Sequence, residues 1–346
     1  MSELLDDPTI DAVYVPLPNG LHYEWTLKAL KAGKHVLLEK PSTSNAEEAK
    51  ALFRHEILQQ PNAPVVLEAF HVLFHPAFQL FISLLDQPNI ASAKVTAYVP
   101  GGLFPKDDIR FIYDLSGGTL MDLGTYDVLA LRQIFGTEPE ECIEAVPRLM
   151  PKGFDQNCDE SMHATFRFPN GGTGELLCDL AARGGYPLSW LTGSLPSLRL
   201  PKCSVVHREV VVQDPSLAAD SGLEHVVVKS VNMSNFMAPQ FWHRIEVEEA
   251  HTIRHATTKA VQKQWNEKSS HVGYTWPKTA AGEGVRAGEE YWTTYRYQLE
   301  AFVDRVKGRS GSGVWMDGEY SIAQMAMIDS AYQKAGLPLR PTSTYK

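Results

Sequence analysis

Cysteine is scarce in this sequence: there are 4 cysteines among 346 residues, and no two of them form a C-x-x-C pair. Thiols this few and this widely spaced cannot crosslink a chain of this length into a disulfide framework. We therefore expect Cys142, Cys158, Cys178 and Cys203 to be reduced and buried, which favours a cytoplasmic protein.

An excess of positive charge is also absent. Lys and Arg number 32 against 41 Asp and Glu, which gives a formal net charge of −9. No basic stripe is present of the kind that neutralises a phosphate backbone, so we expect no nucleic-acid partner.

Long hydrophobic runs are missing as well. The most apolar stretch, at 67–85, is interrupted by Glu68, His71, His75 and Pro76, so it fails the roughly 20-residue criterion for a membrane span. The acidic first residues lack the basic and apolar parts of a secretory signal. What remains is a globular composition, 44% hydrophobic and 21% charged, with a length typical of about two domains.

Strand and helix patterns alternate through about the first 90 residues. Short apolar runs rich in Val and Leu are separated by turn residues and by helical periodicity, which predicts a parallel α/β sheet. The predicted strands are 10–17, 34–38 and 64–70, and the predicted helices are 21–32, 46–59 and one beginning at Pro76.

Beyond residue 90 the pattern changes to strands bounded by turns, which predicts a large, mainly antiparallel open sheet in an α+β domain. We expect domains at 1–90 and 91–346, with the last helices able to pack back on the first domain. We expect a loop or mobile helix over the polar stretch 249–288. The predicted strands are 92–99, 144–149, 162–168, 174–179, 204–212 and 225–231, with a hairpin turn at Asn170-Gly171, and the helices are 118–135, 289–307 and 319–335.

Lys40 follows the second predicted strand, and open parallel sheets bind ligands beyond the carboxyl ends of their strands. On position alone, a solvated loop cation is one interpretation. A group that handles a proton or polarises a carbonyl is the other, because Pro41 fixes the chain direction and Glu39 can hold the ammonium.

A second cluster runs from Gly117 to Tyr126 (GGTLMDLGTY). Asp122 and Tyr126 lie four residues apart, so they share one face of a helix. A local hydrogen bond on a helix surface would also explain that spacing. Together with Lys40, however, they suit the oxidation of an alcohol: the cation lowers the pKa of the phenol, the phenolate takes the hydroxyl proton, and the carboxylate holds a neighbouring hydroxyl.

The histidine pairs His71/His75 and His251/His255 have i,i+4 spacing but lack the glutamate of an H-E-x-x-H motif, so we assign them to packing or surface roles and expect no metal site. No G-x-S-x-G context supports a hydrolase.

These residues resemble the glucose–fructose oxidoreductase and inositol dehydrogenase (Gfo/Idh/MocA) family, and within it the dimeric dihydrodiol dehydrogenases and fungal NADP-dependent D-xylose 1-dehydrogenases. The similarity extends over nearly the whole chain. It rests on the segments 11–19 (DAVYVPLPN), 32–41 (AGKHVLLEKP), 117–126, 297–302, 327–329 and 335–338, together with His22.

The resemblance implies a Rossmann-type first domain that binds NADP or NAD and a second domain that binds the substrate and often forms a homodimer through its sheet. It implies hydride transfer at a carbon of a sugar or trans-dihydrodiol. By motif, it assigns catalytic roles to Lys40, Asp122 and Tyr126. It places Pro18, Asn19, His22, Glu39 and Lys40 beside the cofactor.

Two features depart from the family pattern. The resemblance implies a strand, a G-x-G-x-x-G loop and further elements before Asp11, and no such loop stands there in this sequence. We therefore expect an N-terminally incomplete Rossmann sheet and weak cofactor binding, because that loop holds the pyrophosphate. Leu73 stands where relatives often carry an Arg.

Two other functions stay open on the residues alone. One is a cofactor-independent isomerase, cyclase or lyase that uses Lys40 and Tyr126 as acid and base. The other is an inactive subunit that pairs with an active homologue.

Overall fold

The computed structural model of the chain describes residues 2–218, 221–277 and 287–345. The helices are α1 (Ser2–Asp6), α2 (His22–Lys31), α3 (Ala46–Phe53), α4 (Pro76–Ser83), α5 (Thr125–Phe135), α6 (Ser189–Thr192), α7 (Thr294–Val306) and α8 (Gly318–Lys334). The strands are β1 (Ala12–Val15), β2 (His35–Leu38), β3 (Val66–Glu68), β4 (Ile90–Pro100), β5 (Glu141–Leu149), β6 (Asp159–Arg167), β7 (Thr173–Ala182), β8 (Lys202–His207), β9 (Val210–Val212), β10 (Leu223–Ser234), β11 (Arg244–His255) and β12 (Val261–His271).

The first sheet is parallel, with the strand order β1-β2-β3, as the sequence predicts. Its strands are short, and buried Val15, Val36, Leu38 and Leu67 fill its centre. Helix α3 is shorter than the predicted 46–59, because the backbone becomes extended at His55 and continues as a separate 3₁₀ turn.

The second sheet has the order β12-β11-β10-β8-β4-β7-β6-β5, with β9 paired to β10. Among the described pairings, β4 and β7 run parallel and the others antiparallel. The predicted mainly antiparallel open sheet is thus confirmed. Gly171 has the positive φ of +75° that the predicted hairpin turn requires. The single strand predicted at 204–212 is instead two strands, interrupted at 208–209.

The prediction of a loop or mobile helix at 249–288 is wrong over 249–271, which lie in the paired strands β11 and β12. Strand β12 is the last strand of its sheet and most of its side chains are exposed. A polar edge strand lacks the apolar alternation on which strand prediction depends. Residues 278–286 lie outside the described part of the chain.

Helix α5 packs on the inner face of the second sheet, and nearly all of its side chains are buried. The Phe135 ring stacks on Phe168, which follows β6, at a centroid distance of 3.8 Å. The C-terminal helix α8 returns to the first sheet's layer, where Asp329 accepts a hydrogen bond from the backbone N–H of Ala46 at 2.8 Å. The division at residue 90, and with it the packing of the last helices on a separate first domain, stays a prediction. In the described residues, no helix is long and apolar enough to cross a bilayer.

Candidate active site

A cleft of about 470 Å³ opens where the carboxyl ends of β1 and β2 face the start of α5. Lys40, Asp122 and Tyr126 all line it. The fold therefore brings together the three predicted catalytic side chains, although Lys40 and Asp122 are 82 residues apart in sequence.

Lys40 leaves the end of β2 and reaches across the cleft to the entry of α5. Its Nζ donates to the backbone oxygen of Asp122 at 2.9 Å and to Oδ1 of the same residue at 3.0 Å. Only 14% of the Lys40 side chain is exposed. A solvated loop cation would be far more exposed, so the geometry favours the interpretation in which Lys40 belongs to the site.

Asp122 lies between two cations. Its Oδ2 accepts from Nε of Arg110 at 2.8 Å, while Oδ1 faces Lys40. Burial raises the pKa of Asp122, but the charges of Lys40 and Arg110 outweigh it and hold that pKa below its ordinary value. Asp122 is therefore a carboxylate at neutral pH, and it fixes both cations at the cleft.

The sequence reasoning missed Arg110. It lies on a 3₁₀ turn at Ile109–Phe111, where Asp108 accepts from its backbone N–H and from Nη1, both at 3.0 Å. No motif spacing relates this turn to the other site residues. Only the fold reveals that Arg110 reaches Asp122.

Tyr126 is 5% exposed, and its hydroxyl lies 3.0 Å from Nε2 of His71. The Nζ of Lys40 lies 5.0 Å from the centre of the phenol ring. Burial raises the pKa of Tyr126 well above 10, and the nearby Tyr295 and Glu39 raise it further. The sequence predicts that Lys40 lowers this pKa. In the structure, the increase caused by burial is the larger effect, so Tyr126 is a protonated phenol.

His71, which the sequence assigns to a packing or surface role, contacts a site residue in the structure. It follows β3, at the same carboxyl edge that carries Lys40, and that position was the available signal. Its ring stacks on Tyr295 at a centroid distance of 4.1 Å. Burial lowers the pKa of His71 to about 3, so the ring is neutral when it contacts the Tyr126 hydroxyl. The interpretation of His71 as a packing residue is therefore incomplete.

The residues expected beside a cofactor divide into two groups. Asn19 and Glu39 line the cleft; the Asn19 amide donates to the Ser116 carbonyl at 3.1 Å, and Glu39 accepts from the Tyr14 hydroxyl at 2.5 Å. An amide and a carboxylate at the carboxyl edge of parallel strands fit the ribose hydroxyls of a dinucleotide.

Pro18 and His22 are not among the residues that line this cleft. The ring nitrogens of His22 lie 2.8 Å and 2.7 Å from the carbonyl oxygens of Pro41 and Leu17, and burial lowers the pKa of His22 to about 4. His22 thus joins the ends of β1 and β2 underneath the cleft. A direct contact of Pro18 or His22 with a cofactor stays a prediction.

The entry to α5 is a π-helical turn at Leu120–Gly124, which carries Asp122. Such turns occur often at functional sites. Just before it, Gly118 has φ +123°, and a Cβ there would lie 2.3 Å from Asp159 Oδ1 and from an Arg340 nitrogen. Only glycine fits this position, because the backbone passes directly over a buried ion pair.

That ion pair anchors the site from below. Nη2 of Arg340 donates to Asp159 Oδ1 at 2.9 Å, and neither side chain is exposed. Arg340 also donates to the Gly117 carbonyl at 2.6 Å, while Asp159 Oδ2 accepts from the Leu120 backbone N–H at 2.7 Å. The C-terminal segment and β6 together fix the turn that presents Asp122 and Tyr126.

Comparison with known proteins agrees with this architecture. Residues 1–61 match a family model described as an oxidoreductase family with an NAD-binding Rossmann fold, and residues 87–199 match the GFO/IDH/MocA C-terminal domain. A dTDP-3,4-didehydro-2,6-dideoxy-alpha-D-glucose 3-reductase from Streptomyces antibioticus is 31% identical over 238 residues, which cover 65% of this chain and 69% of that protein. The chain belongs to the GFO/IDH/MocA family.

Other relatives in the GFO/IDH/MocA family match over a shorter part. A D-xylose 1-dehydrogenase (NADP(+)) from Haloferax volcanii is 41% identical over 138 residues, 39% of this chain and 41% of that protein. A trans-1,2-dihydrobenzene-1,2-diol dehydrogenase from Mus musculus is 29% identical, covering 52% of each chain. The chain spans 41% to 49% of the length of the first curated relatives it matches.

Solved structures of the GFO/IDH/MocA family share the fold. A 3-ketoreductase from Actinomadura kijaniata, solved with NADP and TDP-benzene, has a TM-score of 0.64 at 22% identity and covers 96% of this chain and 81% of its own. A levoglucosan dehydrogenase, solved with NADH and levoglucosan, has a TM-score of 0.63 at 20% identity and covers 97% and 80%.

Proposed function

We propose that this protein is an NADP-dependent oxidoreductase that transfers hydride between the nicotinamide and a hydroxyl-bearing carbon of a sugar, such as a D-xylose-like pyranose, or of a trans-dihydrodiol. The observation that carries the proposal is the convergence of Lys40, Asp122 and Tyr126 in one cleft at the carboxyl edge of a parallel sheet. Relatives that act on sugars and dihydrodiols support the substrate class.

Because Tyr126 is protonated, its role differs between the two directions of the reaction. In carbonyl reduction, the buried phenol donates its proton to the carbonyl oxygen while that carbon receives the hydride. In alcohol oxidation, a phenolate must take the hydroxyl proton, and Lys40 at 5.0 Å from the ring is the cation placed to favour it. When bound, the nicotinamide supplies or accepts the hydride.

Asp122 positions the cationic part of the site. Its carboxylate holds Lys40 and Arg110 on either side, so both ammonium and guanidinium N–H groups face the cleft at fixed points. Fixed donors of this kind orient a substrate oxygen and stabilise charge that develops on it. Tyr295, which also lines the cleft, closes it from the side of α7.

NADP, or NAD, would be held on the side of the cleft formed by Asn19, Glu39 and Lys40, with Pro18 and His22 shaping the wall behind. A G-x-G-x-x-G loop holds the pyrophosphate of a dinucleotide, and none occurs within residues 1–346, so we expect this stretch of chain to bind NADPH weakly. Titration of NADPH fluorescence measures this, and sub-micromolar affinity would contradict the expectation.

We further propose that two copies associate through the open face of the second sheet and that the protein is cytoplasmic. Val206 on β8 is 41% exposed, whereas its neighbour Val205 is fully buried on the other face. The four cysteines are free and buried, as expected for a reducing compartment. Light scattering after gel filtration tests the dimer: a monomer at micromolar concentration would refute it.

The catalytic assignment is tested by Lys40→Met and Tyr126→Phe, assayed for NADP-dependent xylose or dihydrodiol oxidation and for carbonyl reduction. Losing a positioned proton donor removes about 10²- to 10⁴-fold in rate. Lys94→Met and Tyr320→Phe are matched controls, since Lys94 pairs with Glu175 on the sheet and the Tyr320 hydroxyl accepts from Gln133, both outside the cleft. Unchanged turnover in the two site variants, or turnover without nucleotide, would overturn the proposal.

A further inference from the structure

The hairpin of β11 and β12 carries a histidine and two glutamates on one face, outside the active-site cleft. The ligand atoms of Glu249, His251 and Glu267 all lie within 4.8 Å of one another. Nε2 of His251 is 3.9 Å from Oε2 of Glu249 and 3.8 Å from Oε1 of Glu267. Both glutamate oxygens therefore face the same ring nitrogen.

The register of the hairpin sets the two carboxylates against each other. Glu249 stands directly opposite Glu267, an arrangement of like charges that destabilises a strand pair. The lysines on neighbouring positions are engaged elsewhere: Lys229 donates to the Leu84 carbonyl at 2.7 Å, Lys263 lies over the Trp265 ring at 4.7 Å, and Lys268 pairs with Glu248 at 3.2 Å. Within the described residues, no Lys or Arg forms an ion pair with either glutamate.

A chain of side chains behind the cluster orients the His251 ring. Its Nδ1 is 3.0 Å from Nε2 of His225, whose own Nδ1 is 2.9 Å from a carboxylate oxygen of Asp214. One of the two facing nitrogens must donate to the other, so the shared proton lies on Nδ1 of His251 or on Nε2 of His225. In the tautomer that places it on Nδ1 of His251, Nε2 of His251 is a lone pair.

That lone pair has no hydrogen-bond partner and is shielded from water, yet it points between two carboxylates. The Trp265 ring stacks on His251 at 4.8 Å with an angle of 5°, and its Nε1 donates to Glu267. A lone pair beside two carboxylates is a donor set that suits a cation. Support of a ligating histidine by a second histidine and a carboxylate is typical of metal sites.

We propose that Glu249, His251 and Glu267 bind a divalent cation of the zinc type through Nε2 and one oxygen from each carboxylate. Ligands in a tetrahedral zinc site lie about 3.3 Å apart, since each metal bond is about 2.0–2.1 Å long. The glutamate side chains are 41% and 64% exposed, so each has the freedom to move about half an ångström closer to Nε2 of His251 and to adjust its distance from the other carboxylate. Three protein ligands leave a fourth position open to water, and imidazole with carboxylates suits Zn²⁺, Ni²⁺ or Cu²⁺.

The competing occupant is a proton. In the other tautomer of the pair, His225 donates to His251, and Nε2 of His251 is an N–H group that faces the glutamates. Cation binding must then displace that proton.

The test is a calorimetric titration of tag-free, chelator-treated protein with Zn²⁺, paired with quenching of Trp265 fluorescence by Cu²⁺. We expect one Zn²⁺ per chain, at least tenfold weaker binding in His251→Gln and in Glu267→Gln, and a weakening of about 10- to 100-fold in His225→Gln. The matched control is His163→Gln, which removes a histidine from another pair on the same sheet, where Lys94 already balances Glu175. A Trp265→Phe variant identifies the quenched fluorophore.

Each outcome decides the proposal. Binding that is lost in His251→Gln and Glu267→Gln but kept in His163→Gln supports it, provided that both site variants keep the wild-type circular dichroism. Glu267 is mostly exposed, so its variant reports on binding without disturbing packing. Equal affinity in wild type and His251→Gln, or no stoichiometric binding of Zn²⁺ to the wild-type chain, overturns it.

Discussion

The buried pair of Arg340 and Asp159 makes a quantitative prediction about stability. In the variant Arg340→Met, the replacement has a similar length but no donors. The Asp159 carboxylate then keeps only the Tyr332 hydroxyl and the Leu120 backbone N–H as partners, at 2.9 Å and 2.7 Å. The Gly117 carbonyl loses the Arg340 donor that lies 2.6 Å away.

The magnitude follows from these losses. Removing one partner of a buried ion pair costs about 3–5 kcal/mol in the free energy of unfolding, because a charge remains buried without compensation. Because Asp159 retains two donors, we expect a loss of unfolding free energy near the lower end of this range. The unpaired Gly117 carbonyl increases that loss. A change of about 3–4 kcal/mol corresponds to a fall in Tm of roughly 5 °C for a chain of this size.

Urea and thermal denaturation, followed by circular dichroism, measure the change. The control is Arg54→Met, which breaks the same chemical pairing with Glu319 in an exposed setting, the two side chains being 58% and 64% exposed. Solvent screens such a pair, so we expect the control to unfold like the wild type. If Arg340→Met is no less stable than Arg54→Met, the pair does not anchor the active-site turn.

Two further predictions concern His71 and Glu68. His71→Phe removes the partner of the Tyr126 hydroxyl while keeping a ring against Tyr295. We expect steady-state kinetics to show kcat lowered by about 10-fold with little change in KM, and no further loss when the change is made in Tyr126→Phe. An unchanged kcat would show that His71 has only a packing role. Burial raises the pKa of Glu68 from 4.5 to about 7, so the stability it contributes is complete below pH 4.5 and is lost as the pH rises through 7. The free energy of unfolding of Glu68→Gln should therefore rise relative to that of the wild type between pH 5 and 8, by on the order of 3 kcal/mol. Urea denaturation across that range measures it, and the exposed control Glu56→Gln should show the same pH dependence as the wild type. The same pH dependence in Glu68→Gln would contradict the argument.

The parallel sheet and the grouping of Lys40, Asp122 and Tyr126 in one cleft could be predicted because their signals are local. The apolar runs at β1, β2 and β3 are continuous, and Lys40 follows the second of them directly. Asp122 and Tyr126 share one segment of chain, so their proximity needs no knowledge of the fold. That Lys40 and Asp122 lie near each other could be expected because ligands and functional groups gather at the carboxyl edge of such a sheet.

The remaining site residues depend on contacts that no local pattern encodes. Arg110 belongs to a 3₁₀ turn with no apolar periodicity, and Arg340 acts from the last residues of the chain on a turn more than 200 positions earlier. The same limit explains the missed hairpin. The spacing of His251 and His255 is helical, but the backbone there is extended, so His251 faces Glu249 and Glu267 on one side of a sheet. Because the sequence predicts a loop or mobile helix over this segment, it does not reveal that these three side chains lie close enough to form the proposed cation site.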